Sequence, residues 1–257
     1  MKKLKYILLI VLSLLPSGLF ATETKERPES GFTEGASLYS SGKYEAALGK
    51  WLELYNSGYR SASLDYNIAN AYFKLNNVPG SILFYERALL LKPGRENIVY
   101  NLQVARGLVV DKFAAIPELF FVTWFNFLSL SLASNTWAAI SLTSFIFCLL
   151  LISLYLYKTD HKLKVLGFWL GLFMLILSVS SYSFSSRNKT LVYNNDMAII
   201  FSPVVNGKSS PDNSGNDLFV IHEGTKVSVG DKVGEWYEIK LSDGNKGWVP
   251  VNCLTKL

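Results

Sequence analysis

The sequence is poor in the residues that fasten small secreted or metal-dependent folds. Its 257 residues include two cysteines and two histidines, which excludes a disulfide scaffold and a zinc framework built from Cys and His. It holds no nucleophile elbow, no phosphate-binding P-loop and no HExxH helix, and its Asp and Glu are scattered rather than clustered. Neither His161 nor His222 has a Ser, Cys or acid at motif spacing. The expectation is a chain that is not an enzyme and carries no catalytic, metal or cofactor site. Charge is missing as well: residues 119–157 and 165–184 contain no Asp, Glu, Lys or Arg.

The charge that is present is uneven. Lys and Arg number 25 against 20 Asp and Glu, a net +5. Residues 22–118 balance at 11 of each sign and residues 185–257 at 8 of each. The excess sits in Lys2, Lys3 and Lys5 and in the stretch 158–164, where Lys158, Lys162 and Lys164 face Asp160 alone. Both stretches flank apolar runs, the positive-inside pattern of membrane proteins. A basic binding face spreads its cations differently, so nucleic acid is not an expected partner.

Residues 1–21 read as a secretory signal: a lysine-rich start, an apolar Tyr6–Leu15 stretch, then Pro16-Ser17-Gly18 and a cleavage point after Ala21. Cleaved or retained as an anchor, it sends residue 22 onward out of the cytoplasm. Residues 136–157 and 165–184 each suffice to cross a bilayer. With a basic cytoplasmic loop at 158–164 they form a transmembrane hairpin whose two ends lie outside the cytoplasm. Gly167 and Gly171 make a small-xxx-small pair for close helix approach, or are two ordinary membrane glycines. Residues 117–133 are expected as an amphipathic helix in the membrane interface, with Thr123, Asn126 and Ser129 on its weakly polar side. If it crossed instead, the topology of everything downstream would invert.

Residues 28–112 show self-similarity at a shift of 34. Phe32, Gly35, Tyr39, Ala47, Leu48 and Trp51 correspond to Tyr66, Ala69, Phe73, Ser81, Ile82 and Tyr85, and Asn67 corresponds to Asn101. Small and large residues at fixed places in such a period let paired helices approach and fill the gap beside them. Two repeats, 28–61 and 62–95, are followed by a helix over 96–110. This pattern, most of all "SLDYNIANAYFKLNNVPGSILFYERALLLKP", resembles the tetratricopeptide (TPR) repeat. The resemblance implies a partner groove lined by the first helices: Phe32, Ala36, Tyr39, Tyr66, Asn70, Phe73, Lys74, Tyr100 and Val104. Asn70 and Lys74, one turn apart, would suit a peptide carboxylate, although Ala36 stands where a carboxylate clamp would have Asn. Most of these aromatics serve equally well as plain core.

From Thr190 onward short β-rich runs alternate with turns. Ala198–Ile200, Leu218–Ile221, Lys226–Val229 and Trp236–Leu241 read as strands, residues 207–216 as a polar loop, and Asp243-Gly244 as a tight hairpin turn. Val227, Val229, Ile239 and Val249 are the expected interior. "LFVIHEGTKVSVGDKVGEWYEIKLSDGNKGWVPVNCL" resembles a bacterial SH3-like domain over residues 190–257. That implies an aromatic peptide groove of Trp236, Tyr237 and Trp248, or a passive barrel in which they are structural. Cys253 has no partner within reach, because Cys148 lies in a membrane span.

The expected fold is therefore a multidomain membrane protein: an all-α TPR solenoid, a two-helix transmembrane hairpin and a small all-β SH3-like barrel. This order, with "IPELFF" at the junction and "SNTWAAISL" after it, resembles the BatE family, the TPR-containing membrane proteins of the bacterial aerotolerance operon group. The resemblance implies a non-catalytic scaffold in the bacterial inner membrane, with TPR and SH3-like domains on the periplasmic side. Its partners would be the von Willebrand A-domain membrane proteins of the same group. The alternative is a cell-wall sensor or tether whose SH3-like domain holds peptidoglycan peptide. The cysteines, unable to pair within the chain and lacking basic surroundings, argue against a redox role of the protein itself.

Overall fold

The computed structural model describes residues 29–113, 119–193 and 196–257. The expected signal segment 1–21, the first residue of the expected TPR domain and the first two of the expected interfacial helix lie outside the described residues. The chain divides into two compact units. One comprises residues 133–189; the other joins residues 29–132 to residues 190–257.

The second unit opens with five helices: α1 (Glu29–Ser40), α2 (Tyr44–Asn56), α3 (Ala62–Lys74), α4 (Val78–Leu91) and α5 (Glu96–Gly107). Local chemistry sets their starts. The Ser61 side chain accepts the Leu64 N–H at 3.1 Å ahead of α3, and Asn77 Oδ1 accepts the Gly80 N–H at 2.8 Å ahead of α4. Small residues then set the spacing. A Cβ on Gly35 would fall 2.4 Å from the Trp51 indole nitrogen, and one on Gly80 would fall 2.9 Å from the Tyr72 ring. Trp51, Leu64, Ile68, Ile82, Tyr85 and Ile98 are buried between the helices. A separate apolar helix, α6 (Phe120–Leu130), comes next, with Phe120, Trp124 and Phe127 exposed along one side.

Seven antiparallel strands close the chain: β1 (Met197–Ile200), β2 (Val204–Lys208), β3 (Asp217–His222), β4 (Lys226–Val233), β5 (Trp236–Lys240), β6 (Lys246–Pro250) and β7 (Leu254–Lys256). Their spatial order is β3-β2-β6-β5-β4-β1-β7. Val227, Val229, Ile239 and Val249 are buried inside, with Ile221 and Leu241. Two expectations about this region are corrected. Gly207 and Lys208 belong to β2 rather than to a loop, because the missing Cβ of Gly207 leaves room for the Phe219 ring, which would lie 2.2 Å away. The strand expected to end at Val229 continues to Val233 through a register shift against β5.

The helices and the sheet are not separate domains. Within β1, Ala198 and Ile200 enter the sheet core while Ile199, fully buried, enters the helical core. A strand buried on both faces explains an unbroken apolar run where alternation would mark a half-exposed one. Polar contacts finish the seam. Glu86, 7% exposed, pairs with Arg106 and accepts Lys226 Nζ at 2.8 Å. Asp111 Oδ2 accepts the His222 N–H at 2.6 Å and the Thr225 hydroxyl at 2.7 Å, and Oδ1 lies 2.8 Å from His222 Nδ1. Arg87 donates to the Lys256 carbonyl at 2.8 Å. Gly224 makes the turn between β3 and β4 with φ +84°, and a Cβ there would stand 2.9 Å from Val109 Cγ2.

The first unit is a pair of long apolar helices, α7 (Ser134–Tyr157) and α8 (His161–Tyr193). Both are long and apolar enough to cross a membrane. The 158–164 loop is corrected to three non-helical residues: the Asp160 side chain accepts the Lys162 N–H at 2.8 Å and starts α8 early. Its far end runs past Phe184 to Tyr193, so the first residues assigned to the SH3-like domain are helical. Nothing between Ser185 and Tyr193 is a Pro or Gly that would stop it. Serines fasten the pair reciprocally. Ser141 and Ser178 each donate to the other's carbonyl at 2.9 Å, and Ser134 and Ser185 do the same at 2.9 and 3.0 Å. Gly167 faces this same partner: a Cβ there would lie 3.1 Å from the Leu151 carbonyl oxygen.

Candidate partner-binding grooves

The alternate helices α1, α3 and α5 place Tyr39, Asn70, Phe73, Lys74 and Val104 around one cavity of about 180 Å³. Tyr85 and Asn101 complete its wall. The Tyr85 hydroxyl donates to Asn70 Oδ1 at 2.5 Å. Asn101 Nδ2 donates to the same oxygen at 3.1 Å and to the Tyr66 hydroxyl at 3.0 Å. Burial pushes the Tyr85 phenol above its ordinary value, which keeps it a proton donor. Asn70 thus has its carbonyl occupied from behind and its amide nitrogen left as the donor for an occupant. The exposed Lys74 ammonium lies one turn further on.

The structure does not gather every residue expected in this groove. Phe32 packs on the helical core and gives its carbonyl to Trp51 Nε1 at 3.2 Å. Ala36 also packs on that core. Tyr39 stacks edge-on against Tyr44 at 5.1 Å, with Trp51 at 5.8 Å. Tyr66 stands behind the wall, where its hydroxyl accepts from Asn101 and its ring centroid lies 5.9 Å from that of Tyr85, and Tyr100 is 67% exposed and off the wall. Sequence reasoning misses Tyr85 and Asn101. Tyr85 occupies the repeat place of Trp51 and reads as core; Asn101 repeats Asn67, the one signal that could have found it.

On the sheet, strand alternation divides the expected aromatic trio. Trp248 stands opposite Glu238, two residues from Trp236, so both tryptophans share the outer face. Lys208 pairs with Trp248 from the other side and forms an ion pair with Asp217 at 2.6 Å. Tyr237 lies opposite the fully buried Val249 and packs on the sheet core, with Lys256 Nζ 4.7 Å from its ring centroid. The three do not form one groove. Cys253 is 4% exposed, and burial pushes its thiol up to about 11, far from a reactive thiolate.

The C-terminal sheet is therefore of SH3-like type. The family model for the bacterial SH3 domain matches residues 204–255, from β2 into β7, and leaves β1 outside the match. No curated protein and no solved structure matches the chain. A bacterial SH3 domain is a protein- or peptidoglycan-binding module, which fits a non-catalytic adaptor.

Proposed function

We propose that this chain is a non-catalytic, membrane-anchored scaffold of an aerotolerance-type membrane complex, with its helical module outside the cytoplasm holding a partner protein. The observation that carries the reading is the cavity at Asn70 and Lys74, where a back-hydrogen-bonded amide and a free ammonium face solvent between aromatic walls. Helix starts that recur 34 residues apart, Tyr44 to Val78 and Ala62 to Glu96, support reading the five helices as TPR repeats. The likeness to the BatE family supports von Willebrand A-domain membrane proteins as the partners.

The seam supports the topology. Glu86 and Asp111 precede the apolar helices, while Lys226 and His222 come after them, and these residues touch. Two segments that fold together lie on one side of a membrane, so the number of crossings between them is even. Two crossings, α7 and α8, satisfy this; α6 as a third would not. Its exposed Phe120, Trp124 and Phe127 then suit a helix lying in the interface.

The second reading, a wall tether, is favoured by one observation: Trp236 and Trp248 share an outer face of the sheet. Cosedimentation with purified sacculi separates the two. The full chain is the proper sample, since Ile199 of β1 belongs to the helical core. Under the scaffold reading the chain in mild detergent stays in the supernatant. Pelleting that disappears in the Trp236→Ala, Trp248→Ala double variant would establish the tether instead.

A further inference from the structure

A further cavity lies at the seam between helices and sheet, and neither the Asn70–Lys74 cavity nor the tryptophan face includes it. Its volume is about 900 Å³. The register explains its floor. The outer face of β1 and β4 carries Ile199 and Lys226 where it meets the helices. One pair further along, the same face carries Met197 opposite Ser228, with Lys240 opposite Ser228 from β5. There the helices no longer cover it. The descending chain after α5, Val109 to Phe113, forms the facing wall.

The charge of this cavity is one-sided. Arg106, Lys112, Lys226 and Lys240 line it. Glu86 engages Arg106 and Lys226 from behind. Asp111 is the carboxylate on the wall, and three hydrogen bonds from His222 and Thr225 occupy both its oxygens. Lys112 and Lys240 form no ion pair among the described residues and are exposed. Apolar Phe113, Met197 and Leu241 lie among these cations, with the hydroxyls of Ser228 and Ser242.

We infer that this seam cavity binds an acidic, partly apolar peptide segment of a partner protein, with its carboxylates on Lys112 and Lys240. Its volume is far beyond a single small anion and within the range of sites that enclose larger ligands. Apolar side chains spaced between ammonium groups match a segment that alternates carboxylates with hydrophobic residues. A phosphate site would instead present converging backbone N–H groups or a guanidinium fork. Here Arg106 is engaged by Glu86, and the remaining cations are separate lysines. The site is additional to the Asn70–Lys74 cavity and does not depend on it.

The test uses the full chain in nanodiscs of phosphatidylcholine and a rhodamine-labelled Leu-Glu-Leu-Glu-Leu-Glu peptide blocked at both ends, read by fluorescence anisotropy at low salt. The native chain binds it, and the peptide with Gln for Glu binds at least about tenfold more weakly. Lys112→Glu and Lys240→Glu each weaken binding about tenfold, while Lys43→Glu, which is not in the cavity lining, leaves it unchanged. Ser228→Trp fills the floor without altering charge and abolishes binding with the melting temperature unchanged. Equal binding of the Glu and Gln peptides, or binding indifferent to Lys112→Glu and Lys240→Glu, overturns the inference. So does preferential displacement of the peptide by anionic phosphatidylglycerol discs, which would make the cavity a lipid site. A Phe73→Ala, Lys74→Glu chain binds the peptide like the native one, so failure here and failure of the scaffold proposal are separate results.

Discussion

Asp111 Oδ2 accepts the Thr225 hydroxyl at 2.7 Å, tying the chain that leaves α5 to the turn between β3 and β4. With the Glu86–Lys226 pair, this contact makes one body of two segments separated by the apolar helices. Burial works against Asp111's ionisation, but the Thr225 and His222 hydrogen bonds outweigh it and hold the carboxyl below the usual range.

Asp111→Asn should therefore loosen the seam. It removes the charge that accepts the His222 and Thr225 protons, at a cost of about 1–3 kcal/mol. Because the folded pKa is lowered, the stabilisation is present at neutral pH and fades as pH falls below about 4. Thermal unfolding of the two proteins should converge in acid and separate at pH 7. A constant gap across that range would refute the assignment.

Asp65 acts in the opposite sense. It is 1% exposed, its Oδ1 has no hydrogen-bond partner, and burial raises its pKa to about 6 against the pull of Arg87 and Arg60. Between about pH 4 and 6 the folded state keeps a proton that the unfolded state has released, so stability drops as pH rises through that window. Asp65→Asn should flatten this slope and gain about 1–3 kcal/mol at pH 7.5, measured by denaturant unfolding. A variant less stable than native at pH 7.5 would show that Asp65 is paired in solution.

Gly224→Ala tests the docking of the β3–β4 turn. The left-handed φ of +84° costs an L-residue about 1–2 kcal/mol, and the new Cβ would press on Val109 Cγ2 at 2.9 Å. The substitution should lower the melting temperature and speed amide exchange in both β4 and α4. Exchange changed in the sheet alone would mean that the two cores unfold independently.

In the hairpin, two glycines four residues apart should respond differently. Gly167→Ala presses on the Leu151 carbonyl oxygen at 3.1 Å, while at Gly171 the nearest neighbour is a Cβ at 3.6 Å, an ordinary contact. Gly167→Ala should destabilise the chain in detergent by about 1 kcal/mol and Gly171→Ala by less. Equal effects would place the close approach elsewhere.

Much of this architecture is legible in the sequence because single-period signals carry it. Small residues set against large ones, as Gly35 is against Trp51, mark closely packed helices, and alternation at Val227, Val229 and Ile239 marks the sheet interior. The charge gap marks the apolar helices. What stays hidden depends on contacts across the chain. Nothing local to Glu86 or Lys226 announces that they meet 140 residues apart. Asn101 reads as one more repeat position, and only the fold brings it to Asn70. Residue type groups Tyr237 with Trp236 and Trp248, whereas strand parity turns it to the other face. Asp160 counts as one charge of a loop by composition, but its position before Lys162 makes it a helix start.

The proposed seating of a protein partner at Asn70 and Lys74 is open to experiment. The direct test is a cross-linked pull-down of the full chain from membranes in mild detergent, beside the Phe73→Ala, Lys74→Glu double variant. Von Willebrand A-domain membrane proteins should co-purify with the native chain and be lost from the variant, whose melting temperature should stay within a few degrees of native. Undiminished capture by the variant, or recovery of wall fragments with no protein partner, would contradict it.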